Sequence, residues 1–166
     1  MDIFQNLASC VRGFVFYYGK GGIAVEETKE CSLQEAIQTF YDKNPFVKHL
    51  DMQIESIKDG RTRLAMLVDA DTHVNFYGFA HGGALASLVD TAMGSACLSV
   101  GKKVVTIEMN FNCIKPAPAG KRIVADGYII HNGRKTIVAE AEIRDEDGAL
   151  IVRARGTFFV IGTLTD

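Results

Sequence analysis

Residues 75–90 read NFYGFAHGGALASLVD, and the interpretation of this stretch decides both the fold and the chemistry to expect. Gly82 and Gly83 open an apolar, small-residue segment that continues to about Val100 with helical spacing. Asp90 stands about two and a half turns into that helix. A carboxylate on a buried helix is costly unless it is paired or used. Bare glycine amides at a helix start favour an oxygen that is, or is becoming, negative. His81 directly precedes the glycines, with Asn75 upstream of it. One segment thus offers a base or nucleophile together with an oxyanion site, a combination that points to acyl transfer.

At about 100° per residue, Gly83, Ala86, Ser87, Asp90 and Gly94 share one stripe of the helix. Leu85, Leu88, Val89, Ala92, Met93 and Ala96 cover most of the rest, so burial is expected nearly all round. A buried acid is commonly tied to a backbone amide or an arginine. Here Gly82, Gly83 and Asn75 surround it, and Asn75 can present an amide donor or orient a water. His81 is a candidate general base, since imidazole titrates near neutrality. The positive helix end disfavours imidazolium, so a structural role holding the loop is preferred. His49, His73 and His131 lack metal-ligand spacing, and neither a metal nor a separate cofactor is expected.

Working outward, the period changes to two on either side. Asp51 to Ile57 reads as a strand, with Asp59-Gly60 as a tight turn into Thr62 to Val68. Four strand-like runs follow the helix: Val104 to Cys113, Ile123 to His131, Thr136 to Asp145 and Leu150 to Ile161. Asn132-Gly133 and Asp147-Gly148 are hairpin signals, while Pro116 and Pro118 mark an irregular loop. Upstream, Ser32-Leu33-Gln34-Glu35 is a capping box for a short helix with Leu33, Ala36, Ile37 and Phe40 on one face, closed by Asn44-Pro45. One long helix among hairpin-linked strands predicts an α+β fold, an antiparallel sheet wrapped around that helix.

Residues 32–166 are read as the domain and residues 1–31 as an N-terminal extension. In the extension Ile3, Phe4, Leu7, Ala8 and Val11 have helical spacing, and Gly13, Gly19, Gly21 and Gly22 break any long element. It is expected to pack on a partner surface or to be partly loose.

A chain of 166 residues is long enough for one real core. Its 48% hydrophobic and 23% charged residues fit a globular protein, and a net charge of −2 gives no support to nucleic-acid binding. Cys10, Cys31, Cys97 and Cys113 are widely spaced and form no C-x-x-C pair, as expected of reduced thiols in the cytoplasm. The opening MDIFQN carries an acid where a signal peptide has a basic region. No apolar run approaches the roughly 18 residues that span a membrane.

Asn75, Gly78, His81, Gly82 and Gly83, followed by Asp90, resemble the N-x-x-G-x-x-H-G-G…D pattern of hotdog-fold thioesterases, specifically the phenylacetate-degradation (PaaI-like) acyl-CoA thioesterases. Residues 105–111, VTIEMNF, are similar to that family's central strand, where a serine or threonine faces the acid. Pro116-Ala117, Gly120 and His131-Asn132-Gly133-Arg134 resemble its loop and its hairpin near coenzyme A. The resemblance covers about residues 32–161. It implies hydrolysis of an acyl-CoA thioester to a carboxylic acid and free CoA, with CoA present only as part of the substrate. The Gly82 amide and Asn75 would polarise the carbonyl. Asp90 would act as general base or as nucleophile, and Thr106 would hold the water or the carboxylate. Gly83, His131, Gly133, Arg134 and Lys135, with Lys115 and Lys121 as further candidates, would meet the CoA. The resemblance also implies a homodimer with shared active sites, paired into a tetramer. Two other readings stay open: a hotdog dehydratase acting on 3-hydroxyacyl thioesters, and a module that binds or senses acyl-CoA without cleaving it. Phe46, Phe76, Tyr77 and Phe79 are candidates for lining an acyl pocket, or else plain core.

Overall fold

The computed structural model describes residues 14–19 and 22–27, Ile37, Tyr41 and residues 43–164. Two strands, β1 (Phe14–Gly19) and β2 (Gly22–Glu27), form an antiparallel hairpin in which Gly19 pairs with Gly22. The sequence reading missed these strands. Their uninterrupted apolar run FVFYY lacks the alternation that marks a half-buried strand, so the glycines stood out only as breakers. The helical spacing over residues 3–11 lies outside the described residues.

Most of the expected short helix after Ser32 also lies outside them, although Ile37 and Tyr41 are helical and buried. Asn44-Pro45, read as the end of that helix, also begins another. Pro45 starts helix α1 (Pro45–His49), and the Asn44 side-chain oxygen caps it by accepting the amides of Phe46 and Val47 at 3.0 and 3.4 Å. Proline at the first helical position lacks only an N–H that is unpaired there anyway.

The rest follows the predicted order with small shifts at the ends. Strands β3 (Gln53–Lys58) and β4 (Arg61–Leu67) are joined by Asp59 and Gly60, both at positive φ (49° and 77°), which matches the right-handed twist of a tight hairpin. Helix α2 runs over Gly82–Leu98, two residues shorter than expected. Ser99 ends it, donating to the Ala96 carbonyl at 2.7 Å and accepting the Gly60 amide at 2.8 Å. Strands β5 (Lys102–Cys113), β6 (Arg122–Asn132), β7 (Thr136–Asp145) and β8 (Leu150–Thr163) complete a six-stranded antiparallel sheet of order β3-β4-β6-β7-β8-β5.

This sheet wraps α2, as the pattern predicted. Leu85, Leu88, Val89, Ala92, Met93 and Ala96 are buried against Leu64, Met66, Ile123, Ile137, Ile143, Val152 and Phe158. Ala125, Ala139, Ala141 and Ala154 line the same face, and their small size lets the helix sit low. Contact is tightest at Gly127, where a Cβ would lie 2.7 Å from the Ala92 carbonyl group. Beside it the Thr62 hydroxyl donates to the Ala92 carbonyl at 2.6 Å.

The helix is not buried all round. Gly83 is exposed, and Ala86, Ser87, Asp90 and Gly94 are half-buried, so the small-residue stripe faces away from the sheet. The long β5 stands at a sheet edge, paired only with β8 among the described residues, and exposes Val105 and Ile107. The sheet's outer face is polar over much of its area, where Glu140 and Glu142 pair with Arg153, Arg155 and Arg144. No helix among the described residues is long and apolar enough to cross a membrane.

Candidate active site

Asp90 projects from the open stripe of α2 toward β5, and the Thr106 hydroxyl donates to its Oδ1 at 2.8 Å. Thr106 reaches it because β5 runs beside the helix with this residue turned inward. Its β8 partner, Phe158, is also turned inward and buried. The carboxylate was expected to be buried. On a single chain it is half-open, since the stripe around it carries no large side chain.

The start of α2 is built by the loop before it. His73, buried, accepts the His81 amide on its backbone carbonyl at 2.7 Å and receives the Asp69 amide on Nδ1 at 3.0 Å. Asn75 closes a local turn, its Oδ1 accepting the amides of Tyr77 and Phe79 at 2.9 and 3.3 Å. That fixes the side chain with its NH2 turned away from the turn, and no group among the described residues accepts from it. His81 is the N-cap, with Nδ1 accepting the Gly83 amide at 3.0 Å. Accepting there requires a lone pair on Nδ1, so the ring serves as the helix cap, the structural role preferred from sequence.

One consequence follows for the glycine pair. The Gly83 N–H is taken by His81, whereas the Gly82 N–H has no acceptor among the described residues. Gly82 lines an open groove of about 340 Å³ together with Asn75, Phe79, Ala80, Leu85, Cys113, Ile114, Lys115 and Pro116. Cys113 is an exposed free thiol in that groove, which spacing alone did not reveal. Lys115 lies at the groove, but Lys121 is 3.8 Å from Glu146 and away from it. Phe76 and Tyr77 are fully or largely exposed and Phe46 half-exposed, so none of the three is core.

Asp90 and the Gly82 amide do not meet within one chain. Eight residues of helix separate them, or about 12 Å at 1.5 Å per residue. Both cannot touch one carbonyl group. Within one chain the carboxylate and the free amide therefore stand at two separate places.

The third predicted group is the turn between β6 and β7. His131, Gly133, Arg134 and Lys135 come together there, and Arg134 and Lys135 are exposed without an ion-pair partner among the described residues. It is longer than a two-residue hairpin: the Gly133 amide donates to the Thr136 carbonyl at 3.0 Å. A Cβ at Gly133 would lie 2.7 Å from that carbonyl and 2.8 Å from the His131 ring, so the turn requires glycine.

Residues 77–152 match the thioesterase superfamily model. The chain is also 31% identical over 122 residues to the acyl-coenzyme A thioesterase PaaI of Escherichia coli, covering 74% of this chain and 86% of that protein. The chain belongs to the thioesterase superfamily. Its class is therefore thioester hydrolase, on a hotdog fold. The structure of the E. coli PaaI protein superposes with a TM-score of 0.73 at 30% identity, covering 76% of this chain and 91% of that one. A hypothetical thioesterase of Streptococcus pneumoniae, solved with coenzyme A, gives 0.65 at 31% identity over 68% of this chain and 90% of that one. The same Streptococcus protein has also been solved with an aspartate, and separately a threonine sixteen positions later, changed to alanine; Asp90 and Thr106 have the same separation.

Proposed function

We propose that this chain hydrolyses acyl-CoA thioesters in sites completed by a second copy, Asp90 of one copy working with the Gly82 helix start of the other. The observation that carries the reading is the Thr106–Asp90 hydrogen bond on the open stripe of α2. Its hydroxyl donor orients one carboxylate oxygen and leaves the second free to take a proton or to attack.

The Gly82 N–H and the Asn75 NH2 polarise the thioester carbonyl and stabilise the oxygen as it gains charge. In one course Asp90 removes a proton from water as the water oxygen bonds to the carbonyl carbon. The C–S bond then breaks, and the CoA thiolate leaves with the electron pair and takes up a proton. In the other course Asp90 itself adds to the carbon, expels the thiolate and leaves a mixed anhydride for water to cleave. Both courses need Asp90 ionised beside the carbonyl. The products in either case are a carboxylate and free CoA.

Two features support the second copy. The 12 Å between Asp90 and Gly82 is closed by a partner helix running the other way along the stripe of Gly83, Ala86, Ser87 and Gly94, whose small side chains admit close approach. The unpaired β5 edge, with Val105 and Ile107 exposed, favours joining two sheets edge to edge. For the substrate class, support comes from the Streptococcus relatives solved with acetyl-CoA and with coenzyme A.

The test replaces Asp90 with Asn and follows thiol release from phenylacetyl-CoA, hexanoyl-CoA and longer acyl-CoAs. A loss of about 10²–10⁴ in kcat is expected from removing the base. Activity retained at the wild-type level makes Asp90 structural and overturns the mechanism.

A further inference from the structure

Lys102 opens β5, just beyond the end of α2. Its ammonium donates to Asn132 Oδ1 at 2.6 Å and to the Gly133 carbonyl at 2.8 Å. Both acceptors belong to the β6–β7 turn, about thirty residues away in sequence. No carboxylate pairs with Lys102 among the described residues, so its charge is given to two neutral oxygens of this turn. Directly after them stand Arg134 and Lys135, exposed and without ion-pair partners among the described residues. Gly133 admits no side chain and packs against the His131 ring, so the turn has one compact form for Lys102 to hold.

We infer that Lys102 is a positioning residue: it clamps the Asn132-Gly133 turn so that Arg134 and Lys135 are held ready for the phosphate groups of the CoA nucleotide. This rests on the acyl-CoA reading above. Lys102 directs two of its three donors within the protein, and the cations that follow are left free for an anion. Fixing the turn backbone matters because a loop that must be ordered on binding costs affinity, whereas one already held does not. The effect therefore falls on capture of the nucleotide end, about half a CoA molecule away from the carbonyl, and not on the chemical step.

The test compares wild type, Lys102→Met, Lys102→Arg and Asn132→Ala, using hexanoyl-CoA and hexanoyl-pantetheine, which lacks the nucleotide and its phosphates. Lys102→Met and Asn132→Ala should each raise KM for hexanoyl-CoA about tenfold, the cost of ordering the loosened turn on binding, with kcat within about twofold. Their kcat/KM for hexanoyl-pantetheine should match wild type, and Lys102→Arg should recover most of the KM. Asn132→Ala opens the clamp from the other side and keeps Lys102, so it decides the matter if Lys102→Met fails to fold. Equal losses on both thioesters, or no change on either, overturn the inference. Failure of the acyl-CoA reading itself is distinct: wild type then releases no thiol from phenylacetyl-CoA, hexanoyl-CoA or the longer acyl-CoAs.

Discussion

Replacing Gly82 with Pro isolates the proposed oxyanion donor. Gly82 is the first residue of α2, a position where proline is favoured because its N–H has no helical acceptor. The preceding residue must be extended, and His81 already is, at φ −63° and ψ 140°. A Cβ at Gly82 meets nothing within 4 Å, and the lost N–H has no acceptor among the described residues. The fold should therefore accept Gly82→Pro with little change in Tm. Loss of one oxyanion donor costs about 2.7–4 kcal/mol, or roughly 10²–10³ in kcat. Gly82→Ala is the control, since it adds a methyl group but keeps the N–H; it should stay within about tenfold of wild type. Thiol release from saturating acyl-CoA measures both variants, and circular dichroism follows their melting. If Gly82→Pro melts like wild type and still turns over within threefold of it, the amide is not the oxyanion donor.

A shared site predicts complementation. Asp90→Asn and Gly82→Pro chains, each inactive alone, should regain about a quarter of wild-type activity when unfolded together and refolded in equal amounts: half of the pairs are mixed, and each mixed pair holds one intact site. Recovery of none refutes the split arrangement. Gly127→Ala should destabilise the fold by about 1–3 kcal/mol, because the methyl group would overlap the Ala92 carbonyl; urea unfolding measures it. At alkaline pH, burial pushes the Tyr41 hydroxyl and the Cys97 thiol each up to about 12, from ordinary values of 10.0 and 9.0. The folded state keeps these protons where the unfolded state gives them up. Their stabilisation is complete below about pH 9 and is lost as pH rises toward 12, which melting curves across that range should record.

Much of the fold was legible because its signals are local. The Asp59-Gly60 turn, the alternation through β7 and the apolar run after Gly82-Gly83 each fix an element within a dozen residues. The reading was incomplete or wrong where local signals conflict. Asn44-Pro45 both ends and begins helices, and FVFYY has no polar partner in its alternation to mark a strand. The candidate site was legible in part for the same reason. Asn75, His81, Gly82 and Asp90 lie within sixteen residues of chain, whereas Lys102 and the Asn132-Gly133 turn meet only through strand order.

By itself, then, the sequence determined which groups are present: one acid on a small-residue helix, glycine amides at its start, and two cations after a hairpin glycine. Only the tertiary structure decided how they are deployed. Packing of α2 on the sheet turns Asp90 toward Thr106, capping by His81 consumes the Gly83 amide and spares that of Gly82, and helix geometry holds Asp90 and Gly82 about 12 Å apart. Residue identity is carried by the chain, but distance between residues far apart in sequence is set by which surfaces bury one another.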